Sequence, residues 1–370
     1  PTPAAPCAGA KQGPNKRGSN TRGESNVNQT FRKHIRTGLL AAALTVFALA
    51  AACTSAASEP DGAAPYLHAI PASASMVGRV DVAAILADDA VADLFGALPS
   101  DGETPSSLAD VLTMIQDETG IDPASVTEIV LFGTGSDEAG LGLILSGTLA
   151  VDELVAAIEA AQGTTATVAD VFGTDVFTDD DDFSLAALSD GRLVAGGTEA
   201  VRASVSVDAG EALGVSGELI DRLDALGTPW VSVVADVSAT DVSKLTGEDG
   251  LASVLGGELP IDVSAFADVQ SIALALDGDG EAFTANADIG FITADAATRA
   301  AAMVEGFTAL AQAFVPDPEL LSFLDGLEIE AVGTELSVDF AIGTDAATKL
   351  VGDLLNIATE EGQLSLPNLQ

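Results

Sequence analysis

Basic residues are scarce in this chain: 14 Lys+Arg stand against 56 Asp+Glu in 370 residues, a net charge of −42. Seven of the bases and one acid, Glu24, precede Cys53. From Cys53 onward seven bases (Arg79, Arg192, Arg202, Arg222, Lys244, Arg299, Lys349) face 55 acids, a net charge of −48. Those seven are scattered and form no patch. Nucleic acid is thereby excluded as a partner, and so is electrostatic docking on anionic headgroups, because both need a basic footprint. Cysteine occurs only at 7 and 53, and histidine only at 34 and 68. From Cys53 onward the chain has one of each, too few for zinc, copper, haem or iron–sulfur ligation or for an internal disulfide. A Ser-His-Asp triad would have to use His68, in Pro65-Tyr66-Leu67-His68, and no nucleophile-elbow sequence accompanies it. Gly133-Thr134-Gly135 and Gly256-Gly257 are isolated glycine clusters without a dinucleotide or P-loop pattern. One Trp and one Tyr leave few rings for stacking on sugars. No cofactor and no enzymatic activity are therefore expected.

What is abundant is aliphatic. The chain is 48% hydrophobic with a mean hydropathy of +0.36, which separates it from disordered acidic segments. The core is expected to consist of Leu, Val, Ile and Ala. Dispersed carboxylates with few lysines read as a salt-adapted surface, as in a marine or halophilic bacterium. Such a surface keeps a protein soluble when salt screens charge and repels itself when salt is low.

The apolar residues are most concentrated near the N-terminus. Arg32-Lys33-His34-Ile35-Arg36 precedes a run from Leu39 to Ala52 that ends at Cys53. The run is about 14 residues long, within a secretory h-region's range and short of the ~20 needed to span a bilayer. Leu49-Ala50-Ala51-Ala52-Cys53 resembles the lipobox of bacterial lipoproteins, although the usual leucine three places before the cysteine is Ala50 here. The resemblance implies a signal peptide over 27–52, cleavage before Cys53, a diacylglyceryl group on its sulfur, and extracytoplasmic anchoring to the cell membrane. No twin-arginine pair precedes the run, so the general secretory route is expected. The stretch 1–26 reads as a disordered extension or a reading frame opened too far upstream, with Val27 as the alternative start. Residues 53–65 then form the lipidated cysteine and a flexible tether, at most about 3.5 Å per residue.

Beyond residue 65 the sequence repeats itself. Ile121-Asp122-Pro123-Ala124-Ser125-Val126 matches Ile261-Asp262-Val263-Ser264-Ala265-Phe266 at an offset of 140. Gly197-Thr198 matches Gly343-Thr344, and Gly147-Thr148 falls opposite Thr293-Ala294, both at 146. Val80-Asp81-Val82 matches Ala235-Asp236-Val237 at 155. These offsets predict two repeats, 66–215 and 228–358, a helical connector at 216–227 and a tail at 359–370. Each repeat is expected to run strand, helical region, strand hairpin, helix, further strands, closing helix. The alternation in Ser271-Ile272-Ala273-Leu274-Ala275-Leu276 is that of a strand. Thr148, Thr198 and Thr344 stand where a hydroxyl caps a helix. The fold class that follows is α+β: two tandem pseudo-repeats of antiparallel sheet with helices packed on one face. This arrangement resembles uncharacterised bacterial surface lipoproteins built from repeated strand-and-helix modules.

Two acidic motifs invite a metal reading. Asp179-Asp180-Asp181-Asp182 is an oxygen-only cluster of the kind that suits Ca²⁺ or Mg²⁺, but a charge run between two strands is first a solvated hairpin turn. Asp277-Gly278-Asp279-Gly280-Glu281 lacks the acidic spacing of a calcium loop and has that of a hairpin. The function expected is a lipid-anchored binding or envelope-scaffold protein. Its partner is expected to be a small apolar ligand or an envelope protein, seated in a cleft between the repeats. The alternative is a secreted hydrolase using carboxylates or calcium.

Overall fold

The computed structural model describes residues 65–349 apart from 97–106, 120–121, 136–137, 150–151, 153, 157–165, 180–181, 238–265, 267, 281, 315–317 and 348. Twelve strands make up one sheet: β1 Met76–Asp81, β2 Val126–Gly133, β3 Leu141–Gly147, β4 Thr167–Val171, β5 Thr174–Thr178, β6 Phe183–Ala187, β7 Leu193–Gly197, β8 Val231–Asp236, β9 Val269–Gly278, β10 Ala282–Phe291, β11 Glu328–Val332 and β12 Glu335–Gly343. Their order across the sheet is β11-β12-β10-β9-β8-β1-β2-β3-β7-β6-β5-β4, and neighbouring strands pair antiparallel throughout, as at β1–β2 and β9–β10. The helices are α1 Val82–Ala87, α2 Asp89–Gly96, α3 Leu108–Thr119, α4 Thr198–Asp208, α5 Glu218–Ala225, α6 Ala294–Phe314 and α7 Pro318–Asp325. The α+β antiparallel architecture expected from the sequence is the one observed.

The two halves of the chain meet at the centre of the sheet. Reading outward, one side runs β1-β2-β3-β7-β6 and the other β8-β9-β10-β12-β11, the same order of first, second, third, last and next-to-last strand. The first half adds the β4–β5 hairpin at its outer end. β1 pairs with β8 about Gly78 opposite Val233, two positions that the 155-residue offset also equates. Ile121 and Ile261, aligned from sequence, both lie outside the described residues.

Alternation sorts the side chains onto two faces. On one, Val80, Val231, Val233, Leu276, Phe283 and Ile342 pack with Ala90, Val91 and Leu94 of α2, and Phe291, Leu336 and Ile289 pack under Ala296, Ala297, Ala300 and Ala301 of α6. On the other, Val77, Val130, Phe132, Ile144, Val194 and Val234 pack with Val201 and Val205 of α4 and Leu219 and Leu223 of α5. In the second half α6 and α7 lie on a single face. In the first half α4 and α5 lie on the face opposite α1 and α2. On that face Phe132 lies over Gly142, its cross-strand partner; a Cβ at Gly142 would come within 2.3–2.8 Å of the ring.

Capping differs from expectation at Thr198. Gly197 is the N-cap of α4 and gives no side-chain cap bond, while Thr198 Oγ1 donates to the Asp182 carbonyl at 2.8 Å. The same hydroxyl shares a 2.8 Å bond with Ser184 Oγ, which shares another with Thr178 Oγ1 at 2.8 Å. Ser184 is fully buried, and satisfying a buried hydroxyl draws Thr198 away from the helix end. At α6 the cap is Thr293, whose Oγ1 accepts from the Ala296 N–H at 3.2 Å.

Candidate functional site

The connector forms α5 over 218–225, a helix with a pronounced apolar side, and buries Leu219 and Leu223. Gly227, at φ 75°, turns the chain into Pro229 and Trp230 ahead of β8. Trp230 enters the core and meets Phe283 edge-on at 6.3 Å between ring centroids. The α4–α5 layer ends at this point, and the sheet beyond it carries no described helix on that face. Here β9, β10, β12 and β11 present Asp277, Thr284, Asn286, Asp288, Ser337, Asp339 and Glu328. Their alternate neighbours, among them Leu276, Phe283 and Ile342, go to the opposite core.

Where the apolar end of the connector meets this polar floor, a cleft of about 510 Å³ opens. Ala225, Leu226 and Pro229 form its wall; Asp277, Asn286, Asp288 and Asp339 lie in its floor, with Glu328 at the margin. Among the described residues no Lys or Arg lines it. The floor is braced from within. Asn286 Nδ2 donates to Asp339 Oδ1 at 2.8 Å, and Ser337 Oγ donates to Asp288 Oδ1 at 2.5 Å. Glu328 stands directly opposite Asp339 in the β11–β12 register, a like-charge pairing that costs stability.

The residues singled out in the sequence lie elsewhere. Cys53 is outside the described residues, as are Asp180 and Asp181. Asp179 and Asp182 belong to the β5–β6 turn: Asp179 Oδ1 accepts from the Phe183 N–H at 2.9 Å, and Asp182 takes φ 62°. Asp277 to Ala282 is likewise a hairpin, with Asp279 Oδ1 accepting from the Ala282 N–H at 2.9 Å. His68 is exposed on a short 3₁₀ turn, Pro65–Ala69. Among the described residues no three His, Cys, Asp or Glu side chains stand close enough to hold a metal ion, and no helix is long and apolar enough to cross a membrane. The floor carboxylates were not foreseen as a group. Their one signal was the polar alternation of Thr284, Asn286 and Asp288 along β10.

No family model matches the chain, and no curated protein does. Among solved structures it is similar to crystal form III of TP0453, with TM-score 0.44 and 11% identity over 79% of this chain and 99% of that one. Crystal form IV gives 0.43, at 11% identity over 77% and 96%. These likenesses carry no argument about activity.

Proposed function

We propose that the chain is a lipid-anchored extracytoplasmic binding protein, held at the membrane through Cys53, with the cleft beside α5 as its ligand seat. The observation that carries the binding reading is the junction of an apolar wall (Ala225, Leu226, Pro229) with a floor that bears Asp288 and Asp339 and has no base in its described lining. That lining suits a small ligand with a positively charged group and an apolar body better than the wholly apolar ligand first expected. Asp288 and Asp339, with no Lys or Arg among the described lining residues, present negative charge that a cationic group of the ligand would meet. The anchoring reading is supported by the basic segment, apolar run and lipobox-like end at Leu49–Cys53.

Trp230, the chain's single tryptophan, adjoins Pro229 in the cleft wall and serves as the reporter. Titrating the mature full chain with an alkylammonium is expected to give a saturable change in Trp230 emission and a higher Tm. The neutral alcohol of the same chain length should do neither. Asp288→Asn together with Asp339→Asn is expected to weaken the alkylammonium by about tenfold, the scale of a charge-assisted contact. An equal response to the alcohol, or no saturation, would remove the assignment. Cys53→Ser is expected to leave the membrane fraction or to accumulate as precursor, since two acyl chains anchor stably. A mature N-terminus other than a modified Cys53, found by mass spectrometry, would end the anchoring reading.

A further inference from the structure

The β4–β5 hairpin forms the outer end of the sheet, and among the described residues the second half of the chain has no strand pair in that place. Val171 pairs with Thr174, so the turn between them is two residues, Phe172 at φ 53° and Gly173 at φ 87°. That is a type I′ turn, whose first position favours Gly, Asn or Asp because a side chain with φ > 0 crowds its own backbone. A phenylalanine there is strained, and the residue is 58% exposed. On the edge strand, Val168 is 53% exposed. An aromatic held in an unfavourable conformation with more than half of its surface in water is poorly repaid by packing, and strain kept in this way points to a functional position.

The hairpin and the first described residues, which follow Cys53 in the chain, share a neighbour. The turn Pro65–Ala69 and the strand β4 both touch α4. Leu67 and Ala69 belong to the core that Val171 packs against, and the Ala69 carbonyl accepts from Ser204 Oγ of α4 at 2.6 Å. Residues 54–65 span at most about 40 Å when extended, so a lipid on Cys53 keeps this end of the sheet within reach of the bilayer.

We propose that the β4–β5 hairpin is a second membrane contact, in which Phe172 enters the interfacial layer of the bilayer to which the chain is tethered. The inference rests on the anchoring reading. Asp170 and Asp175 face each other just behind the tip. They select a surface of zwitterionic headgroups, whose ammonium groups they meet, over an anionic one that they repel. A single ring is too weak to hold a free protein on a membrane. On a tethered one the encounter is intramolecular, and the same ring suffices to fix orientation.

The test uses the full chain with its own N-terminal lipid, reconstituted into phosphatidylcholine vesicles with brominated acyl chains. Trp230, the native tryptophan, is buried against Phe283 and should be unquenched in wild type. Phe172→Trp adds a tip reporter, whose emission is expected to shift to the blue and to be quenched by bromine. Flotation is measured on the same samples. Protein that does not float overturns the anchoring reading and the contact with it. Protein that floats while the tip reporter stays unquenched, or is quenched equally in vesicles of anionic lipid, overturns the contact alone. A second variant separates contact from packing. Phe172→Asn, suited to the turn, is expected to raise Tm while freeing the hairpin to limited proteolysis on vesicles. A fall in Tm would show that the ring serves the fold.

Discussion

Arg192 is one of the few bases in the chain and is largely enclosed, its side chain 11% exposed beside an Asp190 that is 45% exposed. Its Nε donates to Asp190 Oδ2 at 2.7 Å and its backbone N–H to Oδ1 at 3.1 Å, while Nη1 is buried with no hydrogen-bond partner among the described residues. Burial works to raise the Asp190 carboxyl, but the bonds from Arg192 and its charge outweigh it and hold the group below its usual value. A carboxylate whose folded pKa is depressed adds stability at pH values above its unfolded pKa, about 3.9. That stability is lost as pH falls through the folded value. Asp190→Asn is therefore expected to cost about 1 kcal/mol at pH 7, a figure already reduced for the exposure of the carboxylate. The gap from wild type should stay constant above about pH 5 and narrow below about pH 4, as urea titrations across that range will show. A gap that widens in acid would contradict the pairing.

Helix α5 bears on both halves at once. Leu219 and Leu223 touch a core that contains Val77 and Phe132 from the first half and Val234 and Ala273 from the second. Leu223 is 2% exposed, and Leu223→Ala is expected to cost roughly 2–5 kcal/mol by the cavity it leaves. Leu213→Ala, at a site 82% exposed, should change stability by less than about 0.5 kcal/mol. Thermal or urea unfolding of the two variants side by side checks both figures. The presence of α5 was legible from 216–227, and the strand at Ser271–Leu276, observed over Val269–Gly278, was legible because its apolar residues alternate. The helix α7 was missed: eight residues opening on proline give a weak periodic signal. Which face each helix covers was not legible. The pattern Ala200, Val201, Ser204, Val205 shows that α4 has an apolar side but not which side of the sheet receives it. The cleft was hidden for a similar reason. Asp277, Asp288 and Asp339 are three acids among 55, and only the place where α5 stops distinguishes them.

For the whole molecule, charge is the dominant condition. From Cys53 onward seven bases cannot pair with 55 acids, and the described ion pairs engage Arg79, Arg192, Arg222 and Arg299. The remainder is net repulsion spread over the surface. Its range shrinks from about 30 Å at 0.01 M salt to about 3 Å at 1 M. The Tm of the chain from Cys53 onward is expected to rise across that interval, most steeply at its low end. A flat or falling Tm in NaCl would show that the surface is not salt-adapted.

The pairing of β1 with β8 also sets a schedule. Gly78 meets Val233, 155 residues later in the chain, so the two central strands join only after most of the polypeptide exists. Emerging at about 5–20 residues per second, the chain presents β1 roughly 8–30 s before its partner. Throughout that interval the edge of β1 that β8 will cover is an open template for any extended segment nearby. High contact order makes closure slow even after β8 arrives. The join at the middle of the sheet is thus where a newly made chain is most exposed to mispairing, and where a holdase would have most to cover.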